Sequence, residues 1–316
     1  MRPLLLFFCA ASLAAASGPL RVVVAQDGSG DFPTIQRAVD HALDNARADR
    51  GRLIIEIRPG TYKERVILPK DMLNVTFRGS DAKTTIITSD MSAKVAGGTF
   101  LSATVTIYGD GFEAENITFE NTFGQGSQAV ALTIYSDGAV LRQCRFLGWQ
   151  DTLDAAYGRQ YYVDSYISGA IDFIFGNAAA VFDHCEIRSV GPGYVTAQSR
   201  VLPDGPQGYV FQHCRLTAEP GVKNIPLGRP WRNYSRVVYL DCWMGDHIAP
   251  AGWSNWGKPE AEKTTFYAEF NSEGPGANPS ARVPWAKHLT ESEANKFRPE
   301  VFLRGEDNWN PAAVHF

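Results

Sequence analysis

Gln128, Gln150 and Asp172 follow one another at 22-residue intervals, and Asp151 comes directly after Gln150. They sit in the stretches QAVAL, GWQDTLD and DFIFG. Two carboxylates and two amides at a repeat spacing are the materials of ester chemistry. One ionised carboxylate can attack, a protonated one can serve the leaving alcohol, and amide NH2 groups can steady an oxyanion. A plainer alternative is open: amides stack in ladders along paired strands, and carboxylates are common in turns. Asp172 weighs against it, because Ile171, Phe173, Ile174 and Phe175 surround it and a lone charge fares badly among them. It needs a cation. LGRPW supplies Arg229 between Gly228 and Pro230, with Trp231 as an aromatic platform.

Side chains at repeat spacing need a repeating scaffold. Short β-rich runs broken by Gly, Asn and Asp occupy the chain from Leu53 onward. Four of them share a pattern, LRQCRF, FDHCEI, FQHCRL and YLDCWM, and internal repetition of this kind marks a solenoid. Irregular spacing between the repeats predicts a parallel β-helix, an all-β fold whose coils stack about 4.8 Å apart. If a coil takes 22 residues here, Gln128, Gln150 and Asp172 form a column with Asp151 beside it. Ile35, Ala38, Val39, Ala42 and Leu43 keep helical spacing after Pro33 or Thr34, so one short helix ending by Gly51 precedes the coils. A sandwich is disfavoured by the scarcity of two-residue hairpin turns.

The first residues, MRPLLLFFCAASLAAASG, read as a secretory signal peptide over residues 1–17, leaving 18–316 as one domain. The apolar run is too short for a membrane span. Without Arg2 the chain keeps 30 − 1 = 29 basic residues against 34 acidic, a formal charge of −5 that argues against nucleic acid as a partner. Cys144, Cys185, Cys214 and Cys242 remain, expected as small buried apolar residues in successive coils; a Cys185–Cys214 bridge is the other possibility. No His or Cys spacing suggests a metal site, and no Ser–His pattern suggests a nucleophile elbow. Asn74, Asn116 and Asn233 open N-x-S/T triplets that match glycosylation acceptors.

Five short motifs in order, GTYKE at 60–64, QAVAL at 128–132, QDTL at 150–153, DFIFG at 172–176 and LGRPW at 227–231, resemble the pectin methylesterase (pectinesterase) family of plants and bacteria. VVVAQDGSGDF, PAGWSNW and SEGPGAN extend the likeness over the mature chain, nearer the plant pattern. The resemblance implies a single-stranded, right-handed parallel β-helix of the pectin lyase-like kind, with a short N-terminal helix and C-terminal loops and helical segment. It implies hydrolysis of galacturonic methyl esters in pectin to pectate and methanol, with no metal or organic cofactor, by a secreted, extracellular or periplasmic monomer. It makes Asp172 the nucleophile, Asp151 the acid and then base, Gln128 and Gln150 the oxyanion donors, and Arg229 the partner of Asp172. Trp231, Phe175, Phe100 and Trp253 would line the substrate cleft.

The chain departs from the family pattern in places. Asp154 follows QDTL where an aromatic residue is common; a carboxylate there would disfavour a free galacturonate, and Tyr157 could supply the missing stacking from its loop. Ser165 replaces a cysteine of some relatives, and no long inhibitory pro-region is expected between the signal and the catalytic domain. A lyase or glycosidase on the same fold is the main rival; the two glutamines favour an ester carbonyl. A catalytically idle binder of acidic polysaccharide, or an esterase for another acyl group such as a thioester, is the remaining alternative.

Overall fold

A computed structural model describes residues 19–44 and 51–313; the expected signal peptide lies outside them. Among the described residues every paired strand is parallel, as a coil requires when each turn lays its strands on those of the turn before. One wall is an 11-stranded sheet from Leu20–Val24 to Lys287–His288, and the rest of the coil is a 12-stranded sheet. The second sheet folds along two long strands, Tyr166–Gly176 and Glu186–Gln198. The first half of Tyr166–Gly176 pairs with Arg145–Leu147 and its second half with Leu153–Ala155, with the register shifting between Gly169 and Ile174. Gly169 sits at that bend because a Cβ there would lie 2.2 Å from Phe173 Cβ. Asp172 comes just after it.

The repeated cysteine pattern marks a corner. From Glu113–Glu115 onward each coil leaves the 11-stranded wall through one residue in the left-handed region: Asn116, Gln143, Asp164, His184, His213, Asp241 and Asn271, with φ between 49 and 58°. In the four Cys repeats the next residue turns inward. Cys144, Cys185, Cys214 and Cys242 are free thiols, each at most 1% exposed, and Ser165 occupies the same interior column. Cys185, Cys214 and Cys242 each donate to carbonyls of their own coil and of the preceding one, at 3.3–3.5 Å. No Cys185–Cys214 bridge forms. The aromatic residue of the repeat stacks likewise, Tyr162 on Phe182 at 4.7 Å, Phe182 on Phe211 at 4.5 Å and Phe211 on Tyr239 at 4.6 Å.

The expected helix is Ile35–Asp44, with residues 45–50 outside those described. Its buried Ile35, Ala38, Val39 and Ala42 close one end of the core. Both oxygens of Glu64 accept its first free backbone N–H groups, from Ile35 and Gln36. The Glu of GTYKE is therefore a helix cap. At the other end the short helices Glu291–Ala294 and Pro299–Phe302 belong to a C-terminal segment that covers the outer face of the 11-stranded wall, over Val140, Val181, Val210 and Val238.

Candidate active site

The coil repeats every 21 residues at QDTL and DFIFG. Leu132 pairs with Leu153, Leu153 with Ile174, and Gln150 bridges Ile171. The expected 22-residue column of Gln128, Gln150 and Asp172 is thereby displaced by one residue per coil. What stacks instead is Asp151 on Asp172. Both take the left-handed conformation, φ 60° and 50°, and the Asp151 N–H donates to Ile171 O at 3.0 Å. A non-glycine residue in that region is strained, Asp less than most, and two in register send both carboxylates out of the coil in the same direction.

Arg229 is held beside them by backbone. Gly228 bridges Thr196 on the coil before its own and Trp253 on the coil after, and the Arg229 N–H donates to Thr196 O at 3.0 Å. A Cβ on Gly228 would fall 2.2 Å from Thr196 Oγ1, so the Gly of LGRPW permits the close approach. The guanidinium then forks onto Asp172, Nε to Oδ1 at 2.8 Å and Nη2 to Oδ2 at 2.6 Å. Its faces lie against Tyr194 at 4.0 Å and Trp256 at 3.7 Å. Asp172 is 5% exposed.

The two carboxylates differ in their surroundings. Burial pushes Asp172 up, and the Arg229 fork opposes it. Burial pushes Asp151 well above the ordinary carboxylate range, the Asp172 and Asp154 charges add to this, and Arg229 opposes it without a direct bond. A like-charged pair served by one cation divides its proton unequally: Asp151 is the member that keeps it.

Gln128 and Gln150 are half-buried on the coils next to this pair. Among the described residues neither side-chain amide forms a hydrogen bond, so they do not make a ladder. Trp231 is half-buried, 6.4 Å from Phe100 in a stacked pair and 6.0 Å from Phe175. Phe100 is 48% exposed, whereas Phe175, 3% exposed, lies beneath the two tryptophans 231 and 256. Trp253 is elsewhere: 3% exposed, it stacks on Tyr267 at 4.3 Å inside the coil. It is a core residue, not a lining one. The second Trp of the same GWSNW, Trp256, is the one at Arg229; the doubled Trp was the available signal. Tyr194 gave none, since GYVTAQSR reads equally as the strand end it largely is.

Asp154 is also placed differently. It is 1% exposed, with Thr133 and Phe175 as its register neighbours, so it does not present a carboxylate to a bound sugar. Tyr157 is 59% exposed.

The pectinesterase family model matches residues 21–306. Pectinesterase 31 of Arabidopsis thaliana is 40% identical, covering 91% of this chain and 93% of its own. Pectinesterase 1 of Solanum lycopersicum is 41% identical over 88% of this chain, which spans about half of that longer protein, 52%. Among solved structures, pectin methylesterase from carrot superposes with a TM-score of 0.89 at 39% identity, covering 96% of this chain and 98% of that one. The Aspergillus niger pectin methylesterase does so at 0.78 and 35%, covering 88% and 92%. These neighbours are right-handed parallel β-helices, and this chain has the same fold. With the match running through nearly all of the described coil, the chain belongs to the pectinesterase family.

Proposed function

We propose that the chain hydrolyses the methyl esters of galacturonic acid residues in pectin with Asp172 as nucleophile and Asp151 as acid and base. The observation that carries this reading is the stacked pair of aspartates in which only Asp172 holds the arginine fork. Pectin methylester hydrolysis is the activity of the family to which the chain belongs. A pectin methylesterase of 26% identity and TM-score 0.77 was solved in complex with a hexasaccharide.

An Asp172 oxygen attacks the ester carbonyl carbon, and the carbonyl π pair moves onto oxygen. The Gln128 and Gln150 NH2 groups donate to that oxyanion. As the tetrahedral intermediate collapses, the bond to methoxide oxygen breaks and Asp151 supplies the proton, so methanol leaves and Asp172 holds the acyl group as an anhydride. Asp151, now a carboxylate, takes a proton from water, the hydroxide oxygen attacks the same carbon, and Asp172 departs ionised. Arg229 favours that ionised form and, through its fork, fixes which way the carboxylate faces. Trp231, Phe100 and Trp256 offer ring faces to sugar rings.

Residues 1–17 act in this reading as a secretory leader and 18–316 as the catalytic domain of a secreted monomer. No helix among the described residues is long and apolar enough to cross a membrane. The test is methanol release from highly methylated pectin with viscosity followed in the same tube. Methanol with unchanged viscosity is expected; loss of viscosity without methanol would transfer the site to a chain-cleaving reaction.

A further inference from the structure

The rungs of the corner ladder are not alike. Asn or Gln stands at Asn116, Gln143 and Asn271, but consecutive coils place His184 and His213 one above the other. Their rings lie 4.6 Å apart, tilted by 32°. The residue before His184, Asp183, is nearly buried, with 10% of its side chain exposed. Its Oδ2 accepts the Tyr161 hydroxyl at 2.7 Å. Its Oδ1 faces both imidazoles, 2.7 Å from His184 Nδ1 and 3.2 Å from His213 Nδ1.

We propose that Asp183 Oδ1, His184 Nδ1 and His213 Nδ1 form a binding site for one divalent transition-metal ion of the zinc class, stapling two successive coils. The three atoms lie within 4.8 Å of one another. Zinc bonds of about 2.0–2.1 Å set neighbouring ligand atoms roughly 3.3 Å apart, so the two carboxylate–imidazole gaps need to open only slightly. Two imidazole nitrogens with one carboxylate suit zinc, cobalt or nickel, whereas magnesium and calcium prefer oxygen alone. Tyr161 does what an outer partner of a metal ligand does: it occupies one carboxylate oxygen and aims the other. On binding, each neutral ring carries its single proton on Nε2, which for His184 is the exposed edge, its side chain being 57% exposed. Asp241 is the nearest further carboxylate, its Oδ2 lying 3.9 Å from His213 Nε2, but Arg298 and Asn271 already engage it. Water fills the remaining position.

No chelating interval marks the site, because the ligands come from separate coils, 29 residues apart at the histidines; the signal lay in the repeats FDHCEI and FQHCRL, which both place His before Cys. Nothing in the ester chemistry uses this corner, and Asp172 lies within Tyr166–Gly176 of the other sheet.

The test titrates the whole chain, freed of metal and of any affinity tag, with Zn²⁺ and separately with Co²⁺ at pH 7.5. Calorimetry should give one ion per chain, cobalt should develop the visible bands of a low-coordinate nitrogen–oxygen set, and zinc should raise the melting temperature. Mg²⁺ should do none of this. His184→Asn and His213→Asn keep a residue that tolerates this turn, as Asn116 and Asn271 do on other rungs. Each should weaken zinc at least tenfold and the double variant should abolish both the heat and the cobalt bands, with near-ultraviolet dichroism and metal-free esterase activity unchanged. Absence of one-site binding by the unaltered chain overturns the proposal without any variant. So does binding that survives in the double variant, which would assign the ion to the other four histidines.

Discussion

Asp154 is a carboxyl group with little reason to be inside. Burial drives it up to about 8, and the neighbouring Thr133 hydroxyl offsets only part of that. Neither carboxylate oxygen, nor that hydroxyl, reaches hydrogen-bond geometry with a described residue. Below its ordinary value of 3.8 the group is protonated whether the chain is folded or not. As pH rises from there, the unfolded chain releases the proton while the folded chain retains it until about 8. The folded state thus binds more protons across this window, so its stability falls with pH, by about 1.4 kcal/mol per unit for one proton. The loss amounts to about 6 kcal/mol by pH 8.

Asp154→Asn has the same shape and does not titrate. Its amide can donate to Thr133, and whatever its burial costs does not vary with pH. The stability difference between variant and native protein should therefore grow in favour of the variant by roughly 4 kcal/mol between pH 5 and pH 8. Urea unfolding of both proteins at these two pH values measures it, with other carboxyl groups cancelling because both proteins contain them. A difference that stays constant with pH would mean that Asp154 is ionised in the fold, and the account of its burial would fail.

The remaining predictions concern the catalytic set. Asp172→Asn and Asp151→Asn should each nearly abolish methanol release, but an ester with a far better leaving group should partly rescue only the Asp151 variant; equal behaviour of the two would reverse or erase the assignment. Gln128→Ala or Gln150→Ala should lower turnover about 10²- to 10³-fold with little change in KM, and a KM effect alone would remove that glutamine from the oxyanion. Arg229→Lys should lose on the order of 10- to 100-fold in turnover, since one ammonium cannot reproduce both arms of the fork; near-native rates would reduce Arg229 to a charge. Arg229→Ala should also move the acid limb of the pH–rate profile upward, because Asp172 loses the group that opposes its burial.

The sequence carried the repeat, its parallel pairing and the residue types that the structure gathers around Arg229, because side-chain types survive without coordinates. It misplaced what depends on the count of residues per coil. A 22-residue interval aligns Gln128 with Gln150, whereas the backbone closes in 21 and aligns the aspartates. The difference is a single residue, enough to change which side chains share a direction. GWSNW offered two tryptophans and no period to tell the inward one from the outward one; the left-handed turn at Trp256, φ 58°, decides it. Asp154 read as exposed because it is charged, yet it lies in a strand whose outer face is itself covered.

The pair of left-handed turns stacks the two aspartates without distinguishing them. Like left-handed conformations one coil apart give the two carboxylates the same direction, so backbone alone would leave them close to equivalent. Equivalence is broken by Arg229, which Gly228 anchors two coils beyond Asp172 and which forks onto that residue only. Negative charge then falls where a cation can answer it, at Asp172, while Asp151 is left with burial and the Asp172 charge beside it. In the proposed reaction, proton donor and nucleophile are thus distinguished by which end of a short stack the arginine reaches, and exchanging the two roles would require moving Arg229 itself.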